Sequence, residues 1–300
     1  MNHYIIDSVD AYNKLYGLTT YHPLVAAVDL KEAKNPVPNG LYDYRNMYAL
    51  FLKKGTQCVV KYGRQVYDYQ EGSVVSFSPG QKVEVIGDKV EFQPDVLGVL
   101  FHADIMFGTP LADKIRKYSF FDYSQMEALH LSEQEKALFI DCYNKLRAEV
   151  ERPIDRHSAD LLSANIQLML EYIFRFYDRQ FITRHKANSG VVAEFERALQ
   201  DYFSDGENRD GLPTVAHFAD KACLSAGYFG DLIKKETGVT AQELISKHIV
   251  NVAKQLLATG TDDISLIAYD LGFQYPQHFT RLFKRVTGLS PSAFRQTLRN

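Results

Sequence analysis

The chain carries one helical pattern twice near its carboxyl end, fifty positions apart. Residues 229–241 read FGDLIKKETGVTA and residues 279–291 read FTRLFKRVTGLSP. Each copy has apolar residues at spacings of three and four, a basic pair in its last turn, and a glycine where a helix stops. The sequence therefore predicts one helical fold unit that is used twice.

A second, shorter apolar pattern precedes each copy and predicts another helix in front of it. The apolar positions are Val215, Phe218, Ala219 and Ala222 in the first unit and Ile264, Ile267, Ala268 and Leu271 in the second. Only a few residues separate the two helices of each unit, which is helix-turn-helix spacing. The small Ala219 and Ala268 suit a close helix crossing, and Gly272 supplies the positive φ of a tight turn. Ser225 is expected to cap the second helix of the first unit, and Pro276 is expected to begin the second helix of the second unit.

Between the two units lies a single apolar stripe at helical spacing. Its members are Ile249, Val252, Ala253, Leu256 and Leu257. The stripe predicts one helix that holds the two units at a fixed separation. Two such units would enter successive major-groove segments, about 34 Å apart, on one face of DNA.

With these features in place, residues 213–300 resemble the DNA-binding domain of the AraC/XylS family of transcription regulators. The residues that carry the resemblance are Ile267-Ala268, Leu271-Gly272-Phe273, Phe279, Phe283-Lys284, Gly288 and Ser290-Pro291-Ser292-Ala293-Phe294-Arg295. The resemblance implies a sequence-specific regulator that binds the double-stranded DNA of a promoter or operator. It also makes RNA polymerase a candidate partner.

The first turns of a reading helix face base edges, where Arg, Gln and Asn discriminate best. In proteins similar to this one, the groove-facing positions correspond to Pro276, Gln277, Thr280 and Arg281 in the second unit and to Gly227, Gly230 and Asp231 in the first. Gln277 suits adenine and Arg281 suits guanine. The first unit lacks the large polar side chains usual there. We therefore expect it to dock more by shape and backbone contact than by a hydrogen-bond code.

Basic residues at helix ends next to the reading faces are the candidates for phosphate contact. They are Lys234, Lys235, Lys284, Arg285 and Arg295. Phosphate contacts are independent of sequence and weaken with salt. Lys284 and Arg295 have an alternative role in the fold, as caps of helix ends or partners of Asp270.

The total charge by itself does not point to a nucleic-acid binder. The 300 residues are 46% hydrophobic and 24% charged with a formal net charge of −3, a composition that predicts about two globular domains. The stretch from Arg281 to Arg299 contains no acid. A basic end on a globally acidic chain is compatible with one DNA-facing patch.

Cysteine usage and the start of the chain indicate a cytoplasmic protein. Cys58, Cys142 and Cys223 are widely spaced and include no C-x-x-C pair, so neither a disulfide framework nor a cysteine-rich zinc site is expected. The first residues lack a basic stretch followed by an apolar one, and no run approaches eighteen apolar residues.

Between Tyr42 and Phe101 the sequence predicts short strands separated by Gly and Pro turns, as in an antiparallel sandwich or small barrel. The predicted strands lie at Cys58–Tyr62, Val66–Tyr69, Val74–Phe77, Lys82–Ile86 and Val96–Phe101. Through Glu71-Gly72-Ser73 and Ser78-Pro79-Gly80-Gln81, this region resembles the cupin-like regulatory domain that often precedes AraC-type readers. The resemblance implies a β-barrel over about residues 20–105.

From about Leu111 to Phe181 the periodicity becomes helical, and Ser132 and Glu135 have capping-box spacing. The widest apolar stripe contains Leu161, Leu162, Ile166, Met169, Leu170, Ile173 and Phe174. Two interpretations stay open, namely packing against the chain's own β domain and a dimer seam. The resemblance to regulators whose helices pair between subunits favours a homodimer.

The predicted fold class is α+β in two domains. A cupin-like sensor and dimerisation domain occupies residues 1–185, a linker region 186–212, and an AraC-type double helix-turn-helix domain 213–300. The polar run at residues 183–190 ends in Ser-Gly, which indicates a flexible linker. A helix from Val191 to Tyr202 is expected before the reader domain.

Catalytic apparatus is not visible in the sequence. A catalytic cupin would hold a metal with clustered histidines, whereas there is no H-x-H here, and His22 and His102 are better explained as packed residues. The nucleophile-elbow, P-loop and dinucleotide motifs are also missing. We therefore predict a protein that is not an enzyme and has no metal or cofactor.

Small-molecule control is the remaining question about the amino-terminal half. Tyr62, Tyr67, Tyr69 and Phe77 offer aromatic surface either for an effector or for ordinary core packing, so no effector residue is assigned. Two alternatives to an effector-controlled regulator stay open. One is a constitutive regulator with a purely structural barrel; the other is a metal-free cupin enzyme, such as a sugar-processing isomerase, fused to a DNA-binding domain.

Overall fold

A computed structural model describes the chain at residues 2–54, 61–62, 65–66, 72–85, 91–92, 95–124, 127–183, 185–204, 211–259 and 263–298. The chain divides into two compact units, Met1–Thr183 and Arg184–Asn300. The described strands all lie in the first unit, and the described part of the second unit is helical. The fold is mixed α+β, as the sequence predicts. Among the described residues, no helix combines the length and the apolar character needed to cross a bilayer.

The described strands are β1 (His3–Ile6), β2 (Val25–Asp29), β3 (Val37–Pro38), β4 (Gly40–Tyr44), β5 (Met47–Lys53), β6 (Lys61–Tyr62), β7 (Gln65–Val66), β8 (Ser73–Phe77), β9 (Gln81–Val85), β10 (Glu91–Phe92), β11 (Val96–His102) and β12 (Leu129–His130). The described α-helices are α1 (Val9–Tyr16), α2 (Leu111–Lys114), α3 (Glu133–Val150), α4 (Ser158–Thr183), α5 (His185–Ser204), α6 (Val215–Lys221), α7 (Ala226–Thr237), α8 (Ala241–Thr259), α9 (Ile264–Asp270), α10 (Pro276–Thr287) and α11 (Pro291–Thr297).

Two main sheets form the framework of the first unit. One is a five-stranded antiparallel sheet in the order β12-β8-β5-β11-β2, and the other has the order β1-β4-β9 with β1 parallel to β4. The pairs β10-β3 and β6-β7 stand apart from both. The described strands form no single closed barrel, so the cupin-like barrel stays a prediction.

One core joins the two main sheets and α1. Tyr42 and Tyr44 of β4 are buried with Phe51 and Phe77 of the larger sheet, and Val9, Tyr12 and Tyr16 enter from α1. The rings pack closely: Tyr44 stacks on Phe77 at 5.3 Å between centroids. Phe77 is therefore part of this core. The side chain of Tyr62 and all of Tyr67 and Tyr69 lie outside the described residues.

Helices α3 and α4 pack against each other, and α3 also packs on β2. Ser132 and Glu135 form the predicted capping box at the start of α3. Most of the predicted apolar stripe of α4 is buried within the first unit, at Leu162, Ile166, Met169, Leu170 and Ile173. Leu161 remains 46% exposed, and Leu168 beside the stripe 44%. Packing within the chain thus accounts for most of the stripe, and the dimer seam stays a prediction.

Helix α5 includes the helix predicted from Val191 to Tyr202, but it begins earlier, at His185, within the run predicted as a flexible linker. Polar composition at residues 183–190 was a misleading signal because tertiary contacts stabilise this helix. Asn188 is 4% exposed, and its Nδ2 donates to Oε1 of Glu236 in α7 at 3.2 Å. Phe195 and Leu199, also on α5, belong to the buried core of the unit Arg184–Asn300. Helix α5 is therefore part of the helical unit.

Candidate nucleic-acid interface

Helices α6 and α7 form the first helix-turn-helix. The Thr214 hydroxyl accepts a hydrogen bond from the amide of His217 at 3.2 Å and so caps α6. Ser225 caps α7 by accepting from the amide of Tyr228 at 3.2 Å, as predicted. Ala219 is fully buried where the helices cross, which leaves no room for a larger side chain.

The turn of this unit is held by two backbone hydrogen bonds. The amide of Leu224 donates to the carbonyl of Ala219 at 2.9 Å, and that of Cys223 donates to Asp220 at 3.0 Å. These bonds satisfy carbonyls at the end of α6 that would otherwise have no partner in the helix. They also place Cys223 at a φ of 56°, a conformation that is uncommon for a residue with a side chain.

Helices α9 and α10 repeat this construction. The amide of Phe273 donates to Ala268 at 3.0 Å and that of Gly272 to Tyr269 at 2.9 Å, with Gly272 at a φ of 91°. Pro276 starts α10, as predicted. The second turn is one residue longer, because the first helices are offset by 49 positions and the reading helices by 50.

The duplication includes a third helix in each unit. Helix α5 packs on α6 and α7 through Phe195, whose ring lies 5.0 Å from Phe218 and 5.3 Å from Phe229. Helix α8 packs on α9 and α10 in the second unit and also contacts α7. The stripe predicted for α8 is mostly buried, with Ile249, Ala253 and Leu257 no more than 3% exposed. Helix α8 thus connects the two units as a single element, as predicted.

The two reading helices end in the same way. The hydroxyl of Thr237 donates to the carbonyl of Ile233 at 2.7 Å, and that of Thr287 donates to Phe283 at 2.8 Å. Gly238 and Gly288 follow in the left-handed conformation, at φ of 76° and 80°. Sequence reasoning found the glycines but not the threonines, although the repeated Thr-Gly pair was the available signal.

Helix α10 presents one polar, exposed face and one buried face. Phe279 and Phe283 are fully buried. The predicted base-reading residues Gln277 and Arg281 are exposed, one helical turn apart, and Lys284 and Arg285 continue the face. Pro276 and Thr280 are half-buried beside it. The structure therefore brings the predicted residues of the second unit onto one surface.

His278 belongs to the same exposed face but was not among the predicted residues. Its ring lies 5.6 Å from that of Tyr275, which is 55% exposed. The residue fifty positions earlier is Tyr228, and Tyr228 is 4% exposed. The matching positions of the two copies therefore differ in burial.

Helix α7 offers a different surface. Gly227, Gly230 and Asp231 are half-buried, while Lys234 and Lys235 in the last turn are exposed. A Cβ atom at Gly230 would meet nothing within 4 Å, so internal packing does not require glycine there. A glycine within a helix costs about 1 kcal/mol relative to alanine. Because glycine has no side chain, the backbone of α7 permits close approach of a partner here.

Arg295 differs from the other predicted phosphate contacts. Its Nε and Nη2 are buried and have no hydrogen-bond partner among the described residues, whereas Lys284 and Arg285 are exposed. Phe294 is half-buried; its ring lies 5.5 Å from that of Phe283, and Lys254 Nζ is 5.9 Å from its centroid. Arg295 is therefore more enclosed than the other phosphate-contact candidates, and its role stays a prediction.

Comparison with known proteins finds a family match in the helical region of the chain. A family model described as a helix-turn-helix domain matches residues 218–297. The arabinose operon regulatory protein of Escherichia coli (strain K12) is 28% identical over 137 residues, which cover 46% of this chain and 44% of that protein. The HTH-type transcriptional activator RhaS of Escherichia coli O157:H7 is 33% identical over 98 residues, 33% of either chain.

A solved structure, the C-terminal domain of AraT, a response regulator from Geobacillus stearothermophilus, is 27% identical. The match covers 36% of this chain and 84% of the AraT domain, with a TM-score of 0.32. The present chain spans less than half the length of the curated relatives it matches. Residues 218–297 match the helix-turn-helix domain family, and both curated relatives are named as regulators or activators of transcription.

Proposed function

We propose that this protein is a sequence-specific, DNA-binding transcription regulator of the AraC type. The observation that carries the proposal is the duplicated helix-turn-helix, whose second reading helix presents Gln277, Arg281, Lys284 and Arg285 on one exposed face. Helix α10 contains no acidic residue to oppose this charge. Such a face suits the major groove of DNA, where side chains meet both base edges and phosphates.

In this proposal Gln277 and Arg281 read base edges, with Pro276 and Thr280 beside them. Arg281 supplies two parallel donors to guanine, and Gln277 pairs with adenine. Lys284 and Arg285 contact phosphates at the end of the same helix. His278 joins them as an exposed polar residue on the same face.

The first reading helix has a more limited role. The side chains at Gly227, Gly230 and Asp231 are absent or too short to extend far toward base edges. Lys234 and Lys235 are exposed and would contact phosphates. We therefore assign most base discrimination to α10 and positioning to α7. Phosphate contacts fix the register of a protein on DNA without reading sequence.

The full-length protein tests the proposal directly. It is incubated with a random duplex library, bound sequences are enriched, and the affinity for the enriched duplex is measured from 50 to 200 mM salt. We expect an enriched motif and an affinity that falls steeply with salt. Binding of no duplex by folded protein would contradict the proposal.

Control by a small-molecule effector through the unit Met1–Thr183 is a further part of the proposal. The relatives support it in that one is named as a regulator of the arabinose operon. A cavity of about 90 Å³ lies in this unit between α1, β2 and α3, with Asn13, Glu32, Arg147 and Glu151 in its lining. An effector would act only through different affinities for two arrangements of the protein.

A metabolite panel separates an effector-controlled regulator from a constitutive one. Thermal unfolding and reporter transcription are measured with each compound, and a regulator with an effector shows a change in both for at least one of them. No change across the panel favours the purely structural role of the amino-terminal unit. The names of the relatives give no support to the cupin enzyme alternative.

We propose that the protein acts as a homodimer with a cupin-like amino-terminal domain. Leu161 and Leu168 on α4, with Leu138 on α3, are 39% to 46% exposed, and such side chains would gain from burial. Sedimentation of the full-length protein tests this. A Leu168→Glu variant that stays dimeric would argue against α4 as the seam.

A further inference from the structure

We propose that a cleft between α8 and α10 seats the DNA backbone that runs between the two major-groove segments. The interhelical cleft, as we define it, is lined by Val239, Thr240, Gln242, Glu243, Ser246, Lys247, Arg285 and Val286. Its volume is about 550 Å³. The inference rests on the proposed function, since it adds a phosphate site to that interface.

The position of the cleft is the first argument. Val239 directly follows Gly238, the residue that ends α7, and Arg285 and Val286 lie in the last turn of α10. Both reading helices therefore end at this cleft. A duplex that contacts both reading faces must pass its intervening backbone over the surface between them, because successive major-groove segments are separated by a minor groove.

Charge is the second argument. Lys247 and Arg285 line the cleft and are exposed. The exposed Lys234 also lies close enough to lower the pKa of Glu243. Thr240, Gln242 and Ser246 add neutral groups that donate hydrogen bonds. Three cations and several neutral donors around one cleft are the chemistry that binds a phosphodiester.

Glu243 is the one acid in the lining, and its position is fixed by the fold. Its Oε2 accepts from the amide and the hydroxyl of Thr240 at 2.9 and 3.0 Å, and the Thr240 hydroxyl accepts from the amide of Glu243 at 3.2 Å. These bonds from Thr240, with Lys247 and Lys234 nearby, lower the pKa of Glu243. The carboxylate caps α8 and is charged at neutral pH, so it would repel a phosphate in the cleft.

The cleft can therefore be tested in both directions. Lys247→Ala in the full-length protein should weaken binding to the enriched duplex about threefold or more at 0.1 M salt and reduce the salt slope by about 0.9, the value for one phosphate contact. Glu243→Gln should tighten binding at low salt, and the gain should fade at high salt because it is electrostatic. Glutamine at this position still completes a capping box, so α8 keeps its start.

Arg197→Ala is the matched control, since Arg197 is exposed on α5 and lies outside the cleft lining. It should leave affinity and salt slope unchanged. Thermal unfolding of each variant verifies that the helical unit is folded. A duplex with a neutral methylphosphonate at the backbone between the two groove segments provides a second measurement. Lys247→Ala should have little further effect on that duplex, because the contact is already lost.

The outcomes separate the inference from the function it rests on. If Lys247→Ala and Glu243→Gln both bind like the wild type, while Arg281→Ala binds more weakly, DNA is bound but not at the cleft, and the inference is wrong. If the wild-type protein binds no duplex, the proposed function itself fails. A loss with Arg197→Ala equal to that with Lys247→Ala would also overturn the inference, because the effect would then be one of overall charge.

Discussion

Cys223 and Gly272 occupy the same position in the two helix-turn-helix units, and both adopt the left-handed backbone conformation, at φ of 56° and 91°. In each unit this residue follows the first helix, and the amide after it donates to a buried alanine, Ala219 or Ala268. The turn thus imposes the same backbone on both copies. Only the second copy has the residue that adopts it without strain.

Gly272→Ala should destabilise the helical unit. A Cβ atom there would lie 2.6 Å from the carbonyl oxygen of Gly211 and would also occupy the left-handed region. We expect a loss of about 1 to 3 kcal/mol in the free energy of unfolding. Urea unfolding followed by helical circular dichroism measures it. A variant as stable as the wild type would mean that this turn is not tightly packed.

Cys223→Gly is the converse change at the matching position. Glycine adopts the left-handed backbone conformation without strain, which should stabilise the folded state by about 1 to 2 kcal/mol. The greater freedom of glycine in the unfolded chain offsets about half of this gain. The same urea measurement should therefore show a small gain in stability. A clear loss would indicate that the Cys223 side chain makes a stabilising contact.

Arg281→Ala should lower affinity for the enriched duplex by about 1 to 3 kcal/mol and relax preference at one base pair. The reason is the loss of a paired donor set that faces a base edge. Binding to the enriched duplex and to single-base variants of it is measured by fluorescence anisotropy. Equal losses on the enriched and on random duplexes would show that Arg281 does not read a base.

Lys284→Ala should weaken binding to all duplexes alike, because a phosphate contact carries no sequence information. The salt slope should fall by about one. Affinity titrations on enriched and random duplexes at several salt concentrations provide both values. A loss confined to the enriched duplex would instead assign Lys284 to base reading.

Phe195→Ala should unfold or strongly destabilise the helical unit, by about 3 to 5 kcal/mol, since Phe195 packs between α6 and α7. A fragment of residues 185–300 should accordingly be more stable than one of residues 213–300. Thermal unfolding of the two fragments and of the variant measures this. Equal stability of the two fragments would mean that α5 does not stabilise the helical unit and acts as a linker.

Stability should decline as the pH falls below about 6.5, the usual pKa of histidine. Burial lowers the pKa of His248 in α8, whose ring lies 5.5 Å from that of Phe203. At a pH between the two values the unfolded chain binds the proton and the folded chain does not, so acid favours unfolding. Burial also lowers the pKa of His22, so the unit Met1–Thr183 should lose stability in acid for the same reason.

His248→Gln should remove part of this pH dependence. Urea unfolding of the variant and of the wild type at pH 7.5 and pH 5.5 gives the difference directly. Between pH 7.5 and pH 5.5, the free energy of unfolding should fall further in the wild type than in the variant. An identical loss would mean that His248 titrates normally in the folded protein.

Local signals of the helical region translated well from sequence to structure. Ser225 caps α7, Pro276 begins α10, and Gly238, Gly272 and Gly288 take positive φ where the pattern placed helix ends. Such features depend on the few residues around each helix end, and these residues are visible in one sequence. The buried Phe229, Phe279 and Phe283 follow in the same way from helical periodicity.

Other features depended on partners distant in sequence. The first turns of α5, from His185, were not predicted because their composition is polar, and the packing of α5 into the helical unit depends on Phe195 against Phe218 and Phe229. Arg295 looks like a surface cation in the sequence, yet two of its nitrogens are buried. His278 is exposed although its counterpart Tyr228 is buried, since the two copies are packed differently.

The sequence by itself determined the helix-turn-helix repeat and the residue types that a reading helix would present, since both depend on spacing within a few turns of helix. Tertiary structure alone decided which of those residues share an exposed face, that α5 completes the helical unit, and that Lys247 and Arg285 border one cleft. Burial and charge proximity are properties of three-dimensional packing, and a residue acquires them from neighbours that its own stretch of sequence does not contain.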